Sequence, residues 1–364
     1  MSAREIRVDR ATGPAGGQPA DRQPAGARET AEADILTRIA DRRAQRITEE
    51  GYGLSSLLPE ERLYPVVGFP DDGFVICEIK RKSPSRGTIN AGIQPVRQAG
   101  VYRDLGANAI SVLTEEDHFG GTLTDLMVVK KTFPDLPVLR KDFLLDVADV
   151  ECSYRAGADC VLLIASLLSD ESLSAMYARA TELGMESLVE VHDSHEARRV
   201  APLAPRLVGV NARDLKTFRI DPLGPVRVRH AIDWPCSVVY ESGIFEEEQA
   251  ALASQSGFNG VLVGESVVRD HTRIHAIKRG LALGRRTAPA GDAPAENAPA
   301  AGNAPAANPA PAAGNAPAAG NAPAGNAPAG NPAPAANPAP AANSAPGPAG
   351  FWYRLTGKQH RRPW

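Results

Sequence analysis

The sequence predicts an α/β protein: a closed (β/α)8 barrel of the TIM type, with an extra helix before it and a disordered tail behind it. Three observations carry that prediction. Short runs rich in Val, Ile and Leu recur at 74–79, 109–113, 136–139, 160–164, 187–191, 207–211, 237–241 and 260–264. Stretches of helical spacing lie between them. With the low-complexity ends set aside, roughly 250 of the 364 residues remain, the usual size of such a barrel. Continuous apolar runs of this length suit parallel strands covered on both faces. An open doubly wound sheet is the alternative, but no G-x-G-x-x-G follows any of the runs.

Taken in order, residues 1–33 are polar and rich in Gly, Pro and Arg, a composition that predicts disorder. Asp34–Ile47 spaces Ile35, Leu36, Ile39 and Ile47 as one helical face, with Asp34 as the N-cap. This helix is expected on the outside or the bottom of the barrel. Residues 51–73, with several Pro and Gly, read as a loop into the first strand. The barrel helices are expected at Pro95–Leu105, Thr122–Phe133, Val147–Arg155, Asp170–Leu183, Ser194–Ala201, Pro222–His230, Glu246–Ser256 and Thr272–Leu283. The barrel domain thus spans 34–286. Residues 287–350 repeat units close to Ala-Gly-Asn-Ala-Pro-Ala. With almost no charge and no large apolar side chain, they cannot offset ordering entropy and read as a flexible linker. The end, 351–364, is basic and aromatic; it reads either as a frayed end or as a short motif for docking onto a partner protein or an anionic surface.

Bulk composition excludes several classes. With 40 basic and 43 acidic residues the net charge is −3, so no global positive field recommends nucleic acid. No apolar run approaches a membrane span, and the N-terminus lacks a signal core. Cys77, Cys152, Cys160 and Cys236 form no C-x-x-C pair and read as reduced thiols of a cytoplasmic protein.

Strand alternation concentrates chemistry at one place. Ile76, Glu78 and Lys80 share a face of the first strand, opposite Val75, Cys77 and Ile79. By the same parity Lys141 goes with Leu139, Glu190 with Leu188, Asn211 with Gly209, and Glu241 with Val239. All stand at the C-terminal ends of strands, where barrels of this kind hold their sites. Inward charges converging on one mouth need partners or a ligand. Two lysines with three carboxylates imply proton transfer. Lysine is a poor acid at neutral pH unless its pKa is lowered, and Lys80 and Lys141 are placed to lower each other's. His118 and His192 read as loop structure. Lysines among the carboxylates oppose a metal site. Ser83-Pro84-Ser85-Arg86-Gly87, Ser242-Gly243 and Gly264-Glu265-Ser266 offer hydroxyls and backbone NH groups for a phosphate.

Several of these segments resemble indole-3-glycerol-phosphate synthase. They are Glu78-Ile-Lys-Arg-Lys-Ser-Pro-Ser-Arg-Gly, Ile110-Ser-Val-Leu-Thr, Val138-Leu-Arg-Lys-Asp-Phe-Leu-Leu-Asp and Ala156-Gly-Ala-Asp-Cys-Val-Leu-Leu-Ile-Ala. Gly184-Met-Glu-Ser-Leu-Val-Glu-Val-His-Asp, Val210-Asn-Ala-Arg-Asp-Leu-Lys-Thr-Phe, Glu241-Ser-Gly-Ile and Leu262-Val-Gly-Glu-Ser continue the series. The likeness runs in order from about residue 34 to about residue 284. It implies a lyase of tryptophan biosynthesis that needs no cofactor or metal and acts on a phosphorylated small molecule. By motif position it implies Lys141 as general acid for ring closure and Glu190 as acid/base partner in dehydration. Glu78 would contact the substrate amine, and Lys80 the carboxylate that leaves. Asn211 and Glu241 would position sugar hydroxyls and the lysine network. Ser83, Ser242, Gly243, Gly264 and Glu265 would cradle the phosphate, Glu265 through its backbone. Phe119, Phe143, Leu162 and Leu215 would form the apolar wall, and Arg213 would orient neighbouring acids. Departures are a short segment between first helix and first strand, Ala212 in place of Asn or Ser, and Tyr240 in place of Ser. The neighbouring isomerase of the pathway is the competing enzyme, but it works with a Cys/Asp or Asp/Asp pair where this chain has lysines and glutamates. An inactive scaffold acting through its tail is the non-enzymatic alternative.

Overall fold

The computed structural model describes residues 35–54, 56–214 and 218–287. The N-terminal extension, the Asp34 cap, Leu215, the repeat linker from residue 288 and the 351–364 end lie outside the described residues.

A first helix, α1 (Ile35–Glu50), precedes strand β1 (Phe74–Ile79) and a small hairpin of β2 (Lys82–Ser83) and β3 (Gly87–Thr88). Helices and strands then alternate: α2 (Pro95–Asp104), β4 (Ala109–Leu113), α3 (Leu123–Thr132), β5 (Val138–Lys141), α4 (Val147–Ala156) and β6 (Cys160–Ile164). The alternation continues with α5 (Asp170–Glu182), β7 (Glu186–Val191), α6 (Ser194–Val200), β8 (Leu207–Asn211), α7 (Gly224–Arg229), β9 (Ser237–Glu241) and α8 (Glu247–Gln255). It closes with β10 (Gly260–Val263), α9 (Glu265–Arg269) and α10 (Arg273–Thr287). Eight strands form a closed parallel barrel in the order β1-β10-β9-β8-β7-β6-β5-β4, with β4 returning to β1.

Both faces of every barrel strand are buried, which is why the runs read as continuously apolar. Ile76, Leu139, Leu162, Leu188, Val239 and Leu262 fill the inside of the barrel. Val75, Cys77, Val112, Val161, Val189 and Val210 face the helices in a second cluster. The parity assumed for β1 therefore holds. Loops after the strands are anchored by helix caps: Asp146, Ser169 and Asp193 accept from the first backbone NH groups of α4, α5 and α6. Thr122 and Asp125 form a reciprocal capping box on α3. Caps of this kind contribute about 0.5–2 kcal/mol each.

Two features differ from expectation. The segment Lys82–Thr88 is an antiparallel hairpin (Lys82 opposite Thr88, Ser83 opposite Gly87) and not an open loop. More consequentially, α1 sits at the rim of the mouth, not outside or at the bottom. Its Arg42 reaches Asp117 at 3.1 Å, Arg46 reaches Glu116 at 2.7 Å, and Arg43 reaches Asp142 at 3.1 Å and also Asp149. All four acids follow the C-terminal ends of β4 and β5. Charge pairing decided the placement, and apolar spacing carries no trace of it. The opposite end of the barrel is closed by the segment before β1, where Phe69 is buried and Asp71 takes Arg206 at 2.5 Å and Ser237 Oγ at 2.6 Å.

Candidate active site

One cavity opens at the C-terminal mouth, and Glu78, Lys80, Lys141, Glu190, Asn211 and Glu241 line it. Ser83, Arg213, Ser242, Gly243, Gly264 and Glu265 form its polar rim, and Phe119, Phe143 and Leu162 its apolar wall. The ladder explains the convergence: Leu113 is opposite Lys141, Glu190 opposite Gly209, and Asn211 opposite Glu241. Strand ends in register present inward residues at one depth.

The charged groups fall into two pairs. Lys80 Nζ donates to Glu78 Oε1 at 2.5 Å. Lys141 Nζ donates to Glu190 Oε2 at 3.0 Å and lies 3.8 Å from Glu241 Oε2. Asn211 Nδ2 donates to Glu190 Oε1 at 3.4 Å. Burial works against a charged Lys141, but Glu190, Glu241 and Glu78 outweigh it and raise its pKa above the ordinary lysine value. This corrects the expectation that Lys141 has its pKa lowered: three acids surround it and outweigh the burial that opposes its charge. Burial also opposes ionisation of Glu190, yet Lys141 and His192 bring its pKa below the usual carboxylate range. For Glu241 burial and the charge of Glu190 act together and push the carboxyl well upward. Its Oε1 is buried without a hydrogen-bond partner. That atom occupies the space where Gly209 has no side chain, since a Cβ there would lie 2.0 Å from it. Glu190 and Glu241 thus stand side by side with their carboxyl pKa values pushed in opposite directions, and Lys141 lies between them.

The rim is built from backbone. Ser242 and Gly243 both have positive φ, 68° and 83°. For serine this region costs on the order of 1–3 kcal/mol and is held only where surroundings enforce it. Gly264 precedes α9 beside β1; a Cβ there would meet Glu78 Oε1 at 2.6 Å and Lys80 Nζ at 3.2 Å. Arg86 of the hairpin reaches Glu265 at 3.5 Å, joining the Ser83 loop to the end of β10. Phe119 and Phe143 lie against each other, with centroids 5.9 Å apart. Arg213 donates to Phe218 O at 3.2 Å and braces its own loop.

Sequence reasoning passed over Asp142 and His192. Asp142 lines the cavity and is fully engaged, accepting from Thr114 at 2.6 Å, Arg140 at 2.9 Å and Arg43 at 3.1 Å. His192 places Nε2 3.3 Å from Glu190 Oε1 and Nδ1 3.2 Å from Glu196 Oε2. Two-residue alternation from Glu190 would have pointed to it.

A closed parallel barrel with lysine–glutamate pairs on the floor of its mouth and a backbone-rich polar rim is an enzyme of proton transfer acting on an anionic substrate. The sequence matches the family model described as Indole-3-glycerol phosphate synthase over residues 60–279. An indole-3-glycerol phosphate synthase of Bacillus cereus is 34% identical over 239 residues, covering 64% of this chain and 92% of the relative. One from Lachnoclostridium phytofermentans is 40% identical, covering 61% and 82% respectively. One from a Nocardioides species is 44% identical, covering 56% and 78%. The chain belongs to the indole-3-glycerol phosphate synthase family.

Proposed function

We propose that the cavity carries out the family reaction with the residues described above in named roles. As a member of the family the chain is a carboxy-lyase of tryptophan biosynthesis. It converts 1-(2-carboxyphenylamino)-1-deoxyribulose 5-phosphate to indole-3-glycerol phosphate, carbon dioxide and water.

In this reading Lys141 protonates the ribulose carbonyl oxygen as the anthranilate ring carbon attacks. The observation that carries the assignment is its position 3.0 Å from Glu190 and 3.8 Å from Glu241 on the mouth floor. Those carboxylates keep the amine charged, so a proton is present at the start of each turnover. Lys80, held by Glu78, receives the substrate carboxylate until it leaves as carbon dioxide. Glu78 faces the amine. Glu190, ionised, removes the proton that dehydration releases. Asn211 holds Glu190, and Glu241 holds the lysine from the other side. Phe119, Phe143 and Leu162 supply the apolar wall for the ring, with Leu215 as a further member. Backbone NH groups around Ser242-Gly243 and Gly264-Glu265, with Ser83, receive the phosphate, and Arg213 steadies the loop beside them.

Cytoplasmic placement fits free thiols at Cys77, Cys152, Cys160 and Cys236. No described helix is long and apolar enough to cross a membrane. The 351–364 end is read as a docking segment for another protein. The decisive experiment is the fluorescence assay for indole-3-glycerol phosphate with wild type beside Lys141→Ala. Turnover should fall by at least about 10²-fold, the scale of lost acid catalysis. A variant within a few-fold of wild type would remove Lys141 from the acid role.

A further inference from the structure

The family reaction does not conserve protons. The carbonyl oxygen departs as water and so takes up two protons, while the carbon skeleton returns one. The carboxylate breaks from the ring as neutral carbon dioxide once the new ring bond has formed. The product therefore carries one negative charge fewer than the substrate, and each turnover consumes one proton. Lys141 spends that proton on the carbonyl oxygen. While substrate fills the mouth, bulk water is a poor source of the replacement.

We propose that His192 is the proton reserve of the site, holding beside Glu190 the proton that each turnover consumes, with Glu196 fixing the ring and keeping it charged. This rests on the synthase reading above. The geometry is a continuous chain of groups. Lys141 Nζ is 3.0 Å from Glu190 Oε2, Glu190 Oε1 is 3.3 Å from His192 Nε2, and His192 Nδ1 is 3.2 Å from Glu196 Oε2. Nε2 is buried and makes no directed hydrogen bond, so Glu190 is the carboxylate its proton can reach. Catalytic contacts of this length tighten when substrate binds. Glu196 also accepts from the backbone NH of His192 at 2.8 Å, which locks the residue at the start of α6. The ionisable groups around the ring are Glu190 of β7 and Glu196 of α6, with Lys141 of β5 and Glu241 of β9 beyond Glu190. Burial opposes a charged ring, but the two glutamates prevail and raise its pKa to about 10. The step balances: with the Lys141 amine neutral after its transfer, Nε2 gives its proton to Glu190, the carboxyl group hands that same proton on to the amine and returns to carboxylate, and neutral imidazole remains. Nε2 is reloaded through Glu190, which lines the mouth and meets solvent again once product leaves.

The test measures kcat and KM against pH on the full chain for wild type, His192→Gln and Glu196→Gln. Gln at 196 keeps an acceptor for the His192 backbone NH but removes the charge. Glu196→Gln should lose kcat earlier on the alkaline side than wild type, its limb lowered by about one unit or more. His192→Gln should lose at least about tenfold in kcat at near-constant KM, less than the 10²–10⁴-fold of a direct proton donor. An alkaline limb unchanged in Glu196→Gln, or a His192→Gln loss confined to KM, would overturn the reserve. Should His192→Gln fail to fold, Glu196→Gln decides alone. Wild type that makes no product at any pH would instead sink the synthase reading; an active wild type with indifferent variants sinks only the reserve.

Discussion

Gly209 shows how a residue without a side chain shapes the chemistry of its neighbours. Its missing Cβ is the space into which Glu241 Oε1 folds, buried and without a hydrogen-bond partner, while Oε2 lies 3.8 Å from Lys141. Gly209→Ala should displace the carboxyl and lower kcat by up to about 10²-fold, the cost of misplacing a group by an ångström or so. If the effect runs through Glu241, the double variant Gly209→Ala/Glu241→Ala should be no slower than Glu241→Ala alone. His192 makes a second prediction, for stability. Its pKa is about 10 in the fold against 6.5 when unperturbed. A group that binds its proton more tightly when folded stabilises the fold in the protonated state. The contribution is full below about pH 6.5, shrinks above it, and is gone as pH rises through about 10. Urea unfolding of wild type and His192→Gln should show a gap at about pH 6 that closes towards about pH 10.

At the scale of elements, α1 and the hairpin are where local pattern and tertiary placement part. The barrel strands match their apolar runs to within one or two residues, because burial on both faces leaves a direct mark on composition. The two-residue strands of the hairpin leave none. The placement of α1 depends on Arg43, which lies buried against Asp142 and Asp149, and Asp142 is the residue after Lys141. Replacing Arg43 by Met would leave buried Asp149 without its cation and Asp142 with Arg140 alone, a loss of about 3–5 kcal/mol. Denaturant unfolding checks that figure. The same variant should also lower kcat, since the end of β5 loses one of its anchors. A variant stable but slow would separate the anchoring of Lys141 from the stability of the barrel.

For the whole molecule, the matched family region and the described structure end close together, at 279 and 287. The last helix is part of the barrel: Ile274, Ile277 and Leu281 of α10 are buried, and Arg285 reaches Asp72 at 2.9 Å. Gln255 Nε2 also donates to Thr287 Oγ1 at 2.7 Å. A chain cut after Thr287 should keep kcat within about twofold and melt close to the full chain, whereas a cut before Arg273 should not fold stably. Thermal melts with the fluorescence assay distinguish the two.

Residue types and their period were enough to locate eight strands, the face each presents, and the lysines, glutamates and asparagine at their ends. Those features are local: alternation and burial on both faces are written residue by residue. Long-range pairing decided the rest. Lys141 was legible as a residue of the barrel mouth, but the direction of its pKa was not, because that depends on three carboxylates from β1, β7 and β9. His192 looked like loop structure until Glu190 and Glu196 were seen on either side of its ring. The first helix looked peripheral until its arginines met acids more than 70 residues away in the chain, at Asp117 and Asp142. Charge interactions act through space, so only the closed barrel reveals which charges are neighbours.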